Sequence, residues 1–120
     1  MSAEKDLVHK IRRAKPLTTE EGTNILKRDQ YRCQYCGLDG LANFDNSLIM
    51  TVDFIIPRAR KGKKDDRNLV AACRPCNTLK GERTYSNFEE AKAHVLKKRE
   101  ELRKEWEAKT VPLRSKSAPA

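Results

Sequence analysis

The sequence is poor in the residues that build a large hydrophobic core. Only 38% of its 120 residues are apolar, and 6% are aromatic. A chain of this length fits one small domain, and a core this lean usually needs disulfides, a metal ion or a partner to hold it together. The four cysteines are the candidates for that role.

Long apolar segments are also missing. No stretch approaches the roughly 20 apolar residues that span a bilayer, so the sequence predicts no membrane segment. Residues 1–6 begin no apolar run of the kind found in secretion signals. We therefore expect a cytoplasmic protein whose thiols stay reduced. In that setting, paired cysteines indicate metal binding rather than disulfides.

Positive charge is abundant and unevenly placed. The net charge is +9, and residues 58–64 carry five Lys/Arg side chains with no acid among them. Such a cluster indicates a surface for a polyanion. A solvated loop that only keeps the protein in solution explains the charge equally well.

Two segments rich in β-forming residues lie on either side of this basic run. Residues 48–56 contain neither Gly nor Pro and predict a strand that ends at Pro57. Residues 68–72 predict a second, shorter strand, antiparallel to the first. A short helix is expected to follow from Cys73, with Gly81 at its C-terminal end.

Capping patterns predict the other helices. Thr18-x-x-Glu21 matches a capping box that opens a short helix to about Arg28. Ser86-x-x-Glu89 matches a second capping box. The segment after it repeats apolar residues at three- and four-residue steps, which predicts one long amphipathic helix.

These patterns divide the chain into four parts. Residues 1–17 are expected to form an N-terminal arm, and residues 18–84 the main domain, with a loop at residues 38–47. Residues 85–110 are expected to form a C-terminal helix that packs on the domain. Residues 111–120, rich in Ser, Pro and Ala, predict a disordered tail.

The cysteines form two pairs of equal spacing, Cys33-x-x-Cys36 and Cys73-x-x-Cys76. This spacing predicts one tetrahedral Zn²⁺ site, and four thiolates leave no open position for chemistry. The zinc would therefore be structural and would fix both ends of the strand–loop–strand unit. Two redox motifs or free buried thiols are the alternatives.

A second group of polar residues lies around the predicted strands. Asp53 interrupts the apolar strand, Asn68 follows the basic loop, Asn77 directly follows Cys76, and Lys80 lies one turn further on. Asp53 and Asn77 offer hard oxygen ligands, which suit Mg²⁺ or Mn²⁺. The sequence thus predicts a second metal site beside the zinc.

With these residues in place, the chain resembles the HNH nuclease family in its four-cysteine, zinc-stapled form. The resemblance covers residues 18–84. It rests on three segments: residues 25–37 (ILKRDQYRCQYCG), 51–60 (TVDFIIPRAR) and 68–81 (NLVAACRPCNTLKG). It implies an α+β fold, a small ββα-metal domain flanked by a short N-terminal helix and a long C-terminal helix.

The resemblance also implies roles for individual residues. Asp53 and Asn77 would hold one catalytic ion, Mg²⁺, Mn²⁺ or another divalent ion, and Asn68 would hydrogen-bond the loop backbone. The family places a histidine directly after the acid, where it activates water, and this chain has Phe54 there. Phenylalanine cannot accept a proton, and loss of a general base typically costs about 10²–10⁴-fold in rate.

Three explanations for a phenylalanine at position 54 remain open. The base is relocated or replaced by a metal-activated hydroxide, the domain is catalytically silent, or the Phe is an introduced substitution. His9, His94, Asp65 and Asp66 are the candidate substitutes. The alternatives are ordinary surface positions for the two histidines and a solvated turn before Asn68 for the two aspartates.

The resemblance predicts a metal-dependent DNA endonuclease, slow or nicking because of Phe54. The alternative is a silenced zinc module that only binds nucleic acid, and a thiol-redox protein is a weaker third. The protein would be a monomer, or a homodimer through the C-terminal helix with Trp106 as an anchor. The side chains expected on DNA phosphates are Arg58, Arg60, Lys61, Lys63, Lys64, Arg74, Lys80 and Arg83.

Overall fold

The first regular element is a capped helix. The computed structural model describes residues 14–117, and the side chains of residues 14–114. Helix α1 (Thr19–Arg28) opens with the predicted capping box. Thr18 Oγ1 accepts the Glu21 N–H at 3.1 Å, and the Glu21 carboxylate accepts the Thr18 N–H at 2.8 Å. Residues 1–13, most of the predicted arm, lie outside the described residues.

A second short helix precedes the sheet. Helix α2 (Phe44–Leu48) begins after Asn43, whose side-chain oxygen accepts the Asn46 N–H at 2.7 Å. The prediction of a loop over residues 38–47 is therefore wrong for residues 44–47. The asparagine that was read as a loop former acts as a helix cap.

The sheet consists of two antiparallel strands, β1 (Met50–Phe54) and β2 (Leu69–Cys73). Their register pairs Met50 with Cys73 at one end and Phe54 with Leu69 at the other. Strand β1 is shorter than the predicted residues 48–56, because α2 occupies the start of that segment. The α+β class predicted from the sequence is confirmed.

The basic loop between the strands is folded rather than extended. It contains two 3₁₀ turns, Arg58–Arg60 and Asp66–Asn68. Gly62 allows the loop to return to the end of β1, since a Cβ at this position would lie 1.6 Å from the Ile56 carbonyl oxygen. The loop is thereby held close to the strand end that carries Asp53.

Strand β2 leads directly into helix α3 (Arg74–Lys80), which completes a ββα unit. Pro75 lies in its first turn, where the missing N–H has no intrahelical partner to lose. The helix ends at Gly81, which adopts φ +67° and donates its N–H to the Asn77 carbonyl at 3.2 Å.

Helix α4 (Phe88–Ser117) is the longest element. Its cap lies one residue later than the predicted Ser86-x-x-Glu89 box. The Asn87 side-chain oxygen accepts the Glu90 N–H at 2.8 Å, and the Glu90 carboxylate accepts the Ser86 N–H at 3.3 Å. Asn87 competes successfully for the cap, as expected from its strong preference for this position.

The prediction of a disordered tail at residues 111–120 is wrong for residues 111–117, which continue α4. A proline removes one backbone donor, and α4 nevertheless continues through Pro112. Thr110 Oγ1 donates to the Trp106 carbonyl at 2.7 Å, and the Arg114 guanidinium lies 4.7 Å from the Trp106 ring centre. Residues 118–120 lie outside the described part of the chain.

The core lies where the two cysteine pairs, β2, α3 and the start of α4 meet. Its buried members are Cys33, Tyr35, Ala72, Cys73, Cys76, Tyr85, Ala91 and Val95. Three of the eight are cysteines, so a bound metal would lie inside the core. None of the helices in residues 14–117 is long and apolar enough to cross a bilayer.

Candidate metal centre and active site

The four cysteines converge at one point, although 36 residues separate the two pairs. The Sγ atoms of Cys33, Cys36, Cys73 and Cys76 all lie within 4.8 Å of one another, and those of Cys36 and Cys73 are 3.7 Å apart. A tetrahedral zinc with Zn–S bonds of about 2.3 Å requires Sγ–Sγ distances of about 3.8 Å. The cluster therefore fits a metal ion, and four cysteine sulfurs are a donor set compatible with zinc.

Local backbone geometry presents these thiols. Gly37, at φ +81°, turns the chain after Cys36 and donates its N–H to the Cys33 carbonyl at 2.9 Å. Cys73 ends β2, and Cys76 lies in the first turn of α3. A hydrogen bond from the Cys76 thiol lowers the pKa of Cys33 to about 4, so this sulfur is ready to bind metal as a thiolate.

Helix α4 contributes a cation to the cluster. Arg99 interrupts the apolar stripe of this helix, and its Nη1 donates to the Cys76 Sγ at 3.7 Å. Burial opposes the charge on Arg99, but the negative charge of the cysteine cluster outweighs this effect and raises the pKa of the guanidinium. Arg99 thus offsets negative charge at the cluster and ties α4 to the domain.

Asp53 is a buried carboxylate with two partners. It lies on β1 and is 3% exposed. The Tyr35 hydroxyl donates to its Oδ2, and the Lys80 Nζ lies 3.4 Å from its Oδ1. Lys80 is itself only 1% exposed and also donates to the Phe54 carbonyl at 2.9 Å. The acid and the residue after it are therefore both fixed by one lysine.

Burial and pairing act in opposite directions on Asp53. Burial is the largest effect and raises the pKa of its carboxyl, whereas the Lys80 charge and the Tyr35 hydrogen bond lower it. Burial and the nearby Asp53 charge together raise the pKa of Tyr35, which keeps its hydroxyl protonated and able to donate. The acid is held in a defined geometry by a neutral donor and a cation.

Tyr35 connects the two candidate sites. It lies between Cys33 and Cys36 in the cysteine turn, and its ring packs 5.1 Å from that of Phe88 on α4. The turn that carries two of the thiols therefore also carries the hydroxyl that donates to Asp53. The sequence analysis assigned no role to Tyr35. The feature that could have indicated one is the position of an aromatic residue between Cys33 and Cys36.

Asp53 and Asn77 line the same cavity, of about 190 Å³. Phe54, Lys80 and Glu82 also line it. Asn77 is half-buried and presents its amide from α3. A carboxylate and an amide oxygen facing one small cavity are suitable donors for a divalent ion.

Asn68 holds the loop against the end of β1. Its Oδ1 accepts the Ile56 N–H at 2.7 Å, and its Nδ2 donates to the Ile56 and Lys63 carbonyls at 3.1 and 3.0 Å. All three hydrogen bonds go to backbone groups. They fix the path of the chain directly after Asp53 and Phe54.

Most of the predicted phosphate-binding side chains lie on the surface. Arg60 Nε donates to the Glu82 carbonyl at 3.2 Å, and Lys64 Nζ pairs with the Glu21 carboxylate at 2.9 Å. The Thr18 N–H, followed by Lys64, lowers the pKa of Glu21 to about 2. The exposed members are Arg60, Lys61, Lys63, Lys64, Arg74 and Arg83.

The other two members of that set are directed into the protein. Arg58 is half-buried and donates its Nε to the Ala14 carbonyl at 2.8 Å. Lys80 is buried against Asp53, and this placement reassigns it from phosphate binding to charge balance inside the site. Arg74 is exposed but borders a different groove, next to Leu96 and Trp106 of α4.

Three of the four predicted substitutes for the missing histidine do not line the cavity of Asp53. The His94 ring packs 5.4 Å from Tyr85, and neither Asp65 nor Asp66 lines the cavity of Asp53. Asp65 instead caps a 3₁₀ turn, where its side chain accepts the Arg67 N–H at 2.8 Å. His9 lies outside the described residues.

This arrangement defines a class of domain. An antiparallel strand pair followed by a helix, closed by a four-cysteine cluster and facing a cavity with Asp53 and Asn77, is the ββα-metal architecture of small nuclease domains. Comparison with known proteins agrees with it. Residues 33–83 match the family model described as HNH endonuclease, so this part of the chain is similar to that family.

Part of the chain is also similar in sequence to one curated protein. Over 62 residues, 51% of this chain, the sequence is 39% identical to the CRISPR-associated endonuclease Cas9 of Corynebacterium diphtheriae. The aligned part is 5% of that protein, so the chain spans about a twentieth of its length. No solved structure gives a significant match.

Proposed function

We propose that this chain is a metal-dependent endonuclease that hydrolyses phosphodiester bonds in DNA, slowly or by nicking. The observation that carries the proposal is the cavity shared by Asp53 and Asn77 within an HNH domain. The four cysteines would hold a structural Zn²⁺, and the Asp53 and Asn77 oxygens would hold a second ion, Mg²⁺, Mn²⁺ or another divalent ion.

Each described residue has a definite task in this proposal. Tyr35 and Lys80 keep the Asp53 carboxylate oriented toward the cavity. Asn77 is presented by α3, whose first turn is fixed at the cysteine cluster. Asn68 keeps the loop folded so that the cavity stays open. A divalent ion bound there would neutralise charge on the scissile phosphate and on the leaving oxygen.

DNA would be bound mainly through its phosphates. The exposed loop side chains Arg60, Lys61 and Lys63 lie next to the cavity segment Pro57–Ala59. Contacts of this kind position a duplex without reading its sequence, and they weaken as salt rises. We therefore propose little sequence specificity.

The first experiment is cleavage of supercoiled plasmid in Mg²⁺, Mn²⁺ or Ni²⁺. Asp53→Ala should lower the nicking rate about 10²-fold, because the cavity loses its charged oxygen ligand. Asp45→Ala, an exposed aspartate on α2, is the matched control and should cleave as the unsubstituted protein does. Equal cleavage by the Asp53→Ala variant and the unsubstituted protein would contradict the proposal.

A silenced module that binds DNA without cutting it is the second candidate. It is favoured by Phe54 in the cavity and by Lys80, which already balances the Asp53 charge without a metal. Such a module would show salt-dependent DNA binding and no nicking with any divalent ion.

The distal half of α4 is the proposed site of any self-association. Ala91 and Val95 pack into the core, but Leu102 and Trp106 further along the helix are 50% and 52% exposed. Both the monomer and a homodimer through this helix fit the sequence prediction. Light scattering at several concentrations separates them.

A further inference from the structure

The cavity is lined by an acidic residue whose task the proposed function does not explain. Among the described residues, two acids line it, Asp53 and Glu82. Asp53 is buried and engaged by Tyr35 and Lys80. Glu82 is exposed, and within residues 14–117 its carboxylate makes no hydrogen bond or ion pair. It is therefore free to take up a proton from a water molecule in the cavity.

The fold places Glu82 at the cavity through the end of α3. Gly81 adopts φ +67° and ψ −155°, a conformation that turns the chain away from the helix axis directly before Glu82. The Glu82 carbonyl then accepts Arg60 Nε at 3.2 Å, which ties this turn to the basic loop. Asn77, in the middle of α3, and Glu82, just beyond its C-terminal end, thus line one cavity.

Glu82 also offers a proton acceptor, which Phe54 lacks. Phe54 lines the same cavity and cannot accept a proton, so the water that attacks phosphorus has no base on β1. A carboxylate is a weaker proton acceptor than an imidazole at neutral pH, although it acts as a general base in many enzymes. Such a replacement would leave a working but slower site.

We propose that Glu82 is the general base of this domain, an inference that rests on the proposed nuclease function. The Glu82 carboxylate takes one proton from water, and the water oxygen forms a bond to phosphorus. The bond between phosphorus and the leaving oxygen breaks, and that oxygen takes a proton from solvent. Asp53 and Asn77 keep their separate task as ligands.

The test is a pair of Glu82→Gln variants, one in the natural sequence and one combined with Phe54→His, assayed by plasmid nicking in Mn²⁺. In the natural sequence, Glu82→Gln should lower the rate about 10²–10⁴-fold. In the Phe54→His background, the imidazole supplies a second base, and the loss should shrink by at least about tenfold. Glu101→Gln, an exposed glutamate on α4 beside Lys98, is the matched control and should keep the natural rate.

Each of the other outcomes shows whether the role of Glu82 or the proposed nuclease function is wrong. Full activity of Glu82→Gln, or an equal loss in both backgrounds, overturns the role of Glu82 alone. Nicking by Phe54→His but not by the natural protein also overturns it, while the nuclease site stands. No nicking by either protein overturns the proposed function itself.

A binding measurement separates a base from a metal ligand. Mn²⁺ titrations followed by electron paramagnetic resonance should give Glu82→Gln the same dissociation constant as the natural protein. Asp53→Ala should weaken Mn²⁺ binding in the same experiment. Weaker Mn²⁺ binding by Glu82→Gln would make Glu82 a ligand and would overturn the proposal.

Discussion

Replacing Phe54 with histidine should accelerate plasmid nicking, and in a Glu82→Gln background the gain should reach about 10²–10⁴-fold, the usual contribution of a positioned general base. Phe54 lines the cavity that contains Asp53 and Asn77, so an imidazole there would face the reacting phosphate. The backbone at this position is already fixed, because its carbonyl accepts Lys80 Nζ at 2.9 Å. The substitution therefore adds a base without rebuilding the site.

The matched control for this prediction is Phe44→His. Phe44 lies on α2, is 73% exposed and does not line the cavity. A histidine there should leave the rate unchanged, which shows that the gain depends on position 54. A Phe54→His protein that nicks no faster than the natural protein would mean that proton transfer does not limit the reaction.

Removing the metal from the cysteine cluster should unfold the domain. Cys33, Cys73 and Cys76 are buried members of the core, and few other large apolar side chains accompany them. Zinc binding in small domains supplies about 10–16 kcal/mol of apparent free energy at neutral pH, far more than a lean core provides. A zinc chelator, or Cys73→Ser, should abolish cooperative thermal unfolding followed by circular dichroism.

Reversibility is the control for the zinc prediction. Adding Zn²⁺ back to the chelated protein should restore the transition, whereas Mg²⁺ should not, since thiolates bind Mg²⁺ poorly. The Cys73→Ser variant should bind zinc weakly and stay unfolded at the same zinc concentration. An unchanged melting temperature after complete zinc removal would show that the fold does not depend on the ion.

The cysteine cluster also carries the residues that position the second candidate site. Tyr35 lies within the first cysteine pair and donates to Asp53, while Asn77 directly follows Cys76. Both the acid and the amide are therefore positioned through cysteine-bearing segments. This explains why a site with no open position for chemistry would still control catalysis.

The parts of the fold that the sequence predicts well are those specified by local patterns. The capping box at Thr18 and the end of α3 at Gly81 involve residues only a few positions apart, and both appear in the structure. Equal cysteine spacing predicts convergence because thiolates share a metal. The cap at Asn87 was misplaced by one residue, because Ser86 and Asn87 are both good caps and packing decides between them.

The geometry of the candidate site depends on contacts between residues far apart in the sequence, which local sequence patterns do not predict. The hydrogen bond from Tyr35 to Asp53 joins residues 18 apart in sequence, and that from Lys80 to the Phe54 carbonyl joins residues 26 apart. Lys80 looked like a phosphate ligand because a lysine is usually exposed. Lys80 is buried because it pairs with Asp53, which is equally buried. Glu82 was not predicted as a site residue, because the cavity that it lines forms only in the folded chain.

The most direct test of the central claim is a crystal of the natural protein grown with Mn²⁺ and measured for anomalous scattering on both sides of the zinc absorption edge. We expect a zinc signal among the four cysteine sulfurs. We expect a separate manganese signal between the side-chain oxygens of Asp53 and Asn77, absent in Asp53→Ala. A zinc signal at the cysteines with no manganese in the cavity of the natural protein would contradict the proposed catalytic metal site.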